Sequence, residues 1–75
     1  MKFHYYPDTD SLYIELSENA AADSQEAAAG VVLDFDTNGS LVGIDIDHAS
    51  NVTNLSKLEI EGLPRSIFHF VQKLP

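Results

Sequence analysis

The chain has 75 residues, no cysteine, and four basic against twelve acidic side chains, for a formal charge of −8. The missing cysteine excludes disulfides and thiolate metal sites, and the carboxylate excess repels phosphate backbones and anionic lipid headgroups, which argues against direct nucleic-acid or membrane-surface binding. A chain of this size hides only ~60% of the surface its unfolded form exposes, so the sequence predicts one small acidic domain over residues 1–75 that gains stability by self-association as a homodimer or other homo-oligomer.

The apolar fraction of 44% suits a globular protein. No apolar run approaches the ~20 residues that span a bilayer. Met1-Lys2-Phe3-His4 turns polar at once, unlike a secretory signal, so a cytoplasmic location is expected.

In chain order, Phe3–Tyr6 and Ser11–Leu16 are rich in aromatic and branched residues and flank Pro7-Asp8-Thr9-Asp10, a turn sequence. Pairing Tyr6 with Ser11 sorts the side chains cleanly. Met1, Phe3, Tyr5, Leu12, Ile14 and Leu16 fall on one face. His4, Tyr6, Ser11, Tyr13 and a Lys2–Glu15 pair fall on the other. The Ala-rich link that follows, Ser17 to Gly30, has no large apolar stripe and reads as a loop with a partial edge strand.

A second hairpin is predicted from Val31–Thr37 and Ser40–Ile46, joined at Asn38-Gly39 by a type I′ turn. Pairing Thr37 with Ser40 collects Val31, Leu33, Phe35, Val42, Ile44 and Ile46 on a dry face. Asp34, Asp36 and Asp45 lie on the opposite, wet face with Val32, Leu41 and Gly43. Gly43 suits a close backbone approach or a bulge. Further on, Lys57–Glu61 alternates like a short strand. Ile67, Phe68, Val71 and Leu74 then follow helical spacing from Pro64, although Ser66–Val71 also fits an alternating strand. The expected fold is α+β: a four- to five-stranded, mainly antiparallel sheet from two β-hairpins (1–16 and 31–46) with a C-terminal helix.

Tyr6-Pro7-Asp8-Thr9-Asp10-Ser11-Leu12-Tyr13-Ile14 resembles the opening pattern of the Domain of Unknown Function 2283 family. Gly30–Asp36, Asn38-Gly39, Leu41–Ile46 and the following Ala49-Ser50 resemble its second block. The likeness covers roughly residues 3–63. It departs at Tyr6, where an Asp usually precedes the proline, and in the Ala-rich link, which is less charged than usual. The resemblance implies a small bacterial or archaeal protein with no established activity. Some members are encoded beside proteins resembling ribonuclease toxins, which implies an antitoxin-like role. No functional residue carries over.

Few chemical constellations stand out. Asp34-x-Asp36-x-Asn38-Gly39 matches the start of an EF-hand loop, with Asp45 at the twelfth position. Calcium there requires a bidentate Glu and flanking helices, whereas these flanks are strand-like, so Asp34, Asp36 and Asp45 are only weak candidates for a surface cation. Three dispersed histidines show no metal-ligand spacing. No catalytic set and no cofactor motif is present. Tyr6, Tyr13 and His4 on the non-core face, and Phe68 and Phe70 in the tail, are candidates for an interface, where aromatic side chains concentrate. The expected function is a protein-interaction module whose acidic surface engages a basic protein. The alternatives are a metal-dependent or hydrolytic enzyme using the Asp34/Asp36/Asp45 face, and a structural oligomer.

Overall fold

Side chains that alternate between apolar and polar favour strands, because every second residue can be sheltered while its neighbours stay wet. The computed structural model describes residues 1–62, and in them this alternation produces β1 (Lys2–Tyr6), β2 (Ser11–Glu15), β3 (Asp23–Ala28), β4 (Val31–Phe35) and β5 (Leu41–Ile46), followed by a one-turn helix, α1 (Ala49–Val52). The strands form one antiparallel sheet in the order β1-β2-β5-β4-β3. The α+β class is as expected, and the two hairpins share one sheet because β2 pairs with β5.

In the first hairpin the register is the one that side-chain sorting selects, from Lys2 opposite Glu15 to Tyr6 opposite Ser11. The Thr9 amide donates to the Tyr6 carbonyl at 3.3 Å, with Pro7 supplying the fixed φ of the turn's first corner. Asp10 closes the connection in the left-handed region at φ 52°. Asp tolerates that region better than most side chains.

The second hairpin agrees in register from Val31 opposite Ile46 to Asp34 opposite Gly43, then slips, so that Phe35 faces Leu41. The expected type I′ turn does not form. Only Gly39 takes positive φ (80°), and Asn38 does not. The Gly39 amide donates to the Asp36 carbonyl at 3.0 Å and the Asp36 amide to the Ser40 carbonyl at 2.9 Å, which leaves a three-residue loop, Thr37-Asn38-Gly39. The Asp36 carboxylate decides the matter by accepting from the Asn38 and Ser40 amides at 2.9 and 3.0 Å. Such a loop needs one left-handed residue instead of two, and a bulge restores the register. Here the extra residue is Val42, whose carbonyl accepts from the Leu16 and Ser17 amides at 2.8 and 3.3 Å.

β3 is a full edge strand of six exposed residues, with an irregularity between Glu26 and Ala28. Lys57–Glu61, expected as a strand, is irregular. Among the described residues it finds no strand to pair with, and Leu58 and Ile60 stay exposed. α1 is an element that the spacing of apolar residues did not signal. The helix or strand expected after Pro64, with Phe68 and Phe70, lies outside the described residues. Among those described, no helix is long and apolar enough to cross a membrane.

The apolar face carries the cross-strand rows Phe3–Ile14–Ile44–Leu33 and Tyr5–Leu12–Ile46–Val31. Its cover is thin. Among the described apolar side chains only Val42 and Ala49 are buried, and Phe3 and Tyr5 remain 47% and 44% exposed. Residues Thr53–Leu58 form one wall of a groove of about 610 Å³ floored by Phe3, Tyr5, Leu12, Ile14 and Ile46.

A Cβ at Gly39 meets nothing within 4 Å, so substitution there costs backbone conformation alone. Gly39→Ala is expected to lower stability by ~1–2 kcal/mol in urea unfolding, and Gly39→Asn by less, because Asn tolerates the left-handed region. Equal stability of wild type and Gly39→Ala contradicts the three-residue loop.

Candidate functional site

The face opposite the groove is polar, and strand pairing places its residues in rows. One row runs His4–Tyr13–Asp45–Val32–Glu26, and another Lys2–Glu15–Gly43–Asp34–Ser24. The face therefore divides. Its β1 side presents Lys2, His4 and Tyr6, and its β3–β4–β5 side presents carboxylates.

The two sides meet where Tyr13 lies across Gly43. Its hydroxyl, leaving β2, passes over β5 and donates to Asp34 Oδ2 on β4 at 2.9 Å, while Ser24 Oγ on β3 donates to Asp34 Oδ1 at 2.6 Å. A Cβ on Gly43 would collide with the Tyr13 hydroxyl, which is why β5 carries glycine at this point. Burial and the Asp34 carboxylate push the Tyr13 hydroxyl above its ordinary pKa, which keeps it a donor. Tyr13, read as an interface candidate, thus serves as an internal tie, while Tyr6 is 52% exposed and His4 is half-buried.

Of the three candidate cation ligands, Asp34 has both oxygens engaged. Asp36, expected on the wet face, is instead buried in the loop it organises. Besides its two amide donors it accepts from Asn19 Nδ2 at 3.1 Å, which pins the β2–β3 connection. The Ser40 amide and Asn19 hold its carboxyl below the ordinary range. Asp45 has no hydrogen-bond donor among the described residues, and burial, then the charges of Asp47 and Asp34, push its pKa up. Among the described residues no group of three or more His, Cys, Asp or Glu side chains has the geometry to hold a metal.

A further cluster escaped reading by spacing, since its partners are forty residues apart. Asp10 Oδ2 accepts from Ser50 Oγ at 2.6 Å and Oδ1 from the Ser50 amide at 3.2 Å, while Tyr5 Oη donates to Oδ1 at 2.7 Å. The Ala49 amide donates to the Asp10 carbonyl at 2.9 Å. This clasp seats α1 on the first turn and buries Ala49. The bonds from Ser50 and then Tyr5 lower the Asp10 pKa. The only available signal was the joint presence of Asp10 and Ala49-Ser50 in the two blocks of the family pattern.

A family model described as "Protein of unknown function (DUF2283)" matches residues 2–50, a span that ends on the clasp serine. No curated protein and no solved structure matches the chain.

Gly43→Ala is expected to force Tyr13 off Asp34 and cost ~1–3 kcal/mol, the usual range for overpacking. In a Tyr13→Ala background the same change becomes much cheaper, and additive losses contradict the crossing. The acid limb of the stability curve carries a second expectation. A carboxylate with a lowered folded pKa stabilises fully above its unfolded value and loses that contribution as pH falls through the folded one. Thermal scans from pH 2 to 8 should therefore show a loss below ~4 that is shallower in Asp10→Asn. Asp45 has the opposite sign: its raised folded pKa removes stability as pH rises through the carboxylate range, so Asp45→Asn should raise the Tm at neutral pH.

Proposed function

Since the chain belongs to the DUF2283 family of proteins of unknown function, we propose that it is a small, self-associating, acidic protein-interaction module, antitoxin-like in action, which binds a basic protein through the β3–β4–β5 side of its polar face. The observation that carries this reading is the unneutralised charge at Asp45. This carboxylate sits partly desolvated beside Asp47 and Asp34 and lacks a donor among the described residues. A guanidinium or ammonium docked there relieves repulsion already present in the free protein.

The charge inventory supports the same direction. All twelve carboxylates lie within residues 1–62, with only Lys2 and Lys57 to balance them. Among the described residues both ion pairs, Lys2–Glu15 at 4.0 Å and Lys57–Glu59 at 2.7 Å, are surface pairs away from Asp45. Such a field steers cationic surfaces toward the sheet. A ribonuclease presents a cationic surface because it must hold phosphates, so an acidic face has the right sign to cover one. Tyr6 and His4 add an aromatic border of the type enriched at interfaces.

Co-expression with the product of the neighbouring reading frame tests the proposal. A 1:1 or 2:2 complex is expected, with an affinity that falls steeply with salt and at least tenfold in Asp45→Lys/Asp47→Lys. Recovery of the chain without that product, or a complex indifferent to both salt and charge reversal, contradicts it.

A further inference from the structure

An open five-stranded sheet has two edges, here β1 and β3, and among the described residues neither has a further strand beside it. Each offers a row of backbone donors and acceptors to any strand that approaches, and proteins guard such rows with charges, prolines and bulges. β3 is guarded: it carries Asp23 and Glu26 and is irregular between Glu26 and Ala28. Two β3 strands laid together would confront four carboxylates. β1 differs in every respect. Its ladder to β2 is regular over all five positions, and it contains no carboxylate, proline or bulge. Its one formal charge, Lys2, stands 4.0 Å from Glu15 at the start of the strand. Among the described residues no hydrogen bond reaches the β1 backbone except the β2 ladder and the turn amide and hydroxyl of Thr9.

We propose that β1 is the self-association edge: Lys2–Tyr6 of one protomer pairs antiparallel with Lys2–Tyr6 of a second copy, joining two five-stranded sheets into one. Charge selects this edge over the other. Of the five strands only β1 has a positive formal charge, while the chain as a whole stands at −8. Two such chains meet at least electrostatic cost where neither is locally negative. A two-fold axis through His4 makes the contact isologous. It sets Phe3 opposite Tyr5 of the second copy and Lys2 opposite Tyr6, pairings of the aromatic–aromatic and cation–aromatic kinds that stabilise antiparallel strands. Phe3 and Tyr5 also floor the apolar groove, so the same contact shelters two exposed side chains of that floor and runs the grooves of both copies together.

The inference rests on the self-association proposed above and names the surface that performs it. The full chain, half of it isotope-labelled, is followed by filtered NOE spectroscopy and by light scattering across dilution. Intermolecular NOEs between Phe3 and Tyr5 are expected. The dimer dissociation constant should rise at least tenfold in His4→Glu, which sets two carboxylates at the axis. Tyr6→Lys, which sets each new cation opposite Lys2 of the other copy, should act in the same direction and serves if His4→Glu does not fold, and Gln25→Glu on β3 should leave the constant unchanged. A dimer whose NOEs lie on β3 or across the apolar faces overturns the assignment to β1 while leaving self-association intact. A strict monomer overturns both, including one in which β1 shows NOEs to residues 63–75 of its own chain.

Discussion

The seam between β2 and β5 turns two hairpins into one sheet, and Tyr13 crossing Gly43 locks it. A hairpin alone is at best marginally stable in water. Side-by-side pairing adds a ladder from Leu12–Ile46 to Glu15–Gly43, and the Tyr13 hydroxyl then spans β5 to reach Asp34. With Ser24 bound to the other oxygen of the same carboxylate, one side chain on β4 receives bonds from β2 and β3. Hydrogen bonds to a charged acceptor are stronger than neutral ones, and every strand except β1 is held at this point. β1 is tied from the opposite face, through Tyr5 to Asp10 and from there to Ser50.

The same arrangement sets what the domain lacks. A single sheet has two faces, and the elements described cover neither fully. On one side the groove is walled by Thr53–Leu58 and floored by side chains that remain half-exposed. On the other, Asp45 and Glu26 share a strand row with no cation between them, and Asp34 lies in the neighbouring row. A small chain with a thin core gains stability from association. The two proposed contacts divide the work: β1 turns toward a second copy, and the acidic side stays open to a partner of opposite charge.

How far this organisation was legible depended on whether the information was local. Period-two alternation and turn residues identified both hairpins, and the first register followed position by position because a one-residue slip would have mixed its faces. Side-chain sorting also predicted Asp34 opposite Gly43. It failed at the loop, because Asn38-Gly39 chemistry alone favours a two-residue turn, while the competing Asp36 carboxylate lies outside the dipeptide and consumes two amides. That failure moved Asp36 from the wet face to the interior. Alternation at Lys57–Glu61 misled for a related reason: the pattern describes what a strand would look like, and among the described residues no edge pairs with it. The Asp10–Ser50 clasp joins residues forty positions apart through a left-handed Asp, and nothing in periodicity reports such a contact. At the candidate site the structural roles of the residues separate only with coordinates, because spacing along the chain does not report which carboxylate finds a donor. Tyr13, Asp34 and Asp36 are internal ties, and Asp45 has no donor among the described residues.

The most direct test of the account is the proton spectrum of Gly43 in the full chain. With the Tyr13 ring lying over this glycine, its α protons should be shifted upfield by the ring current and show NOEs to the Tyr13 ring. Both effects should vanish in Tyr13→Leu. Unshifted α protons without ring NOEs would mean that the two hairpins do not meet along β2 and β5, and the two-faced sheet built on that seam would fall with it.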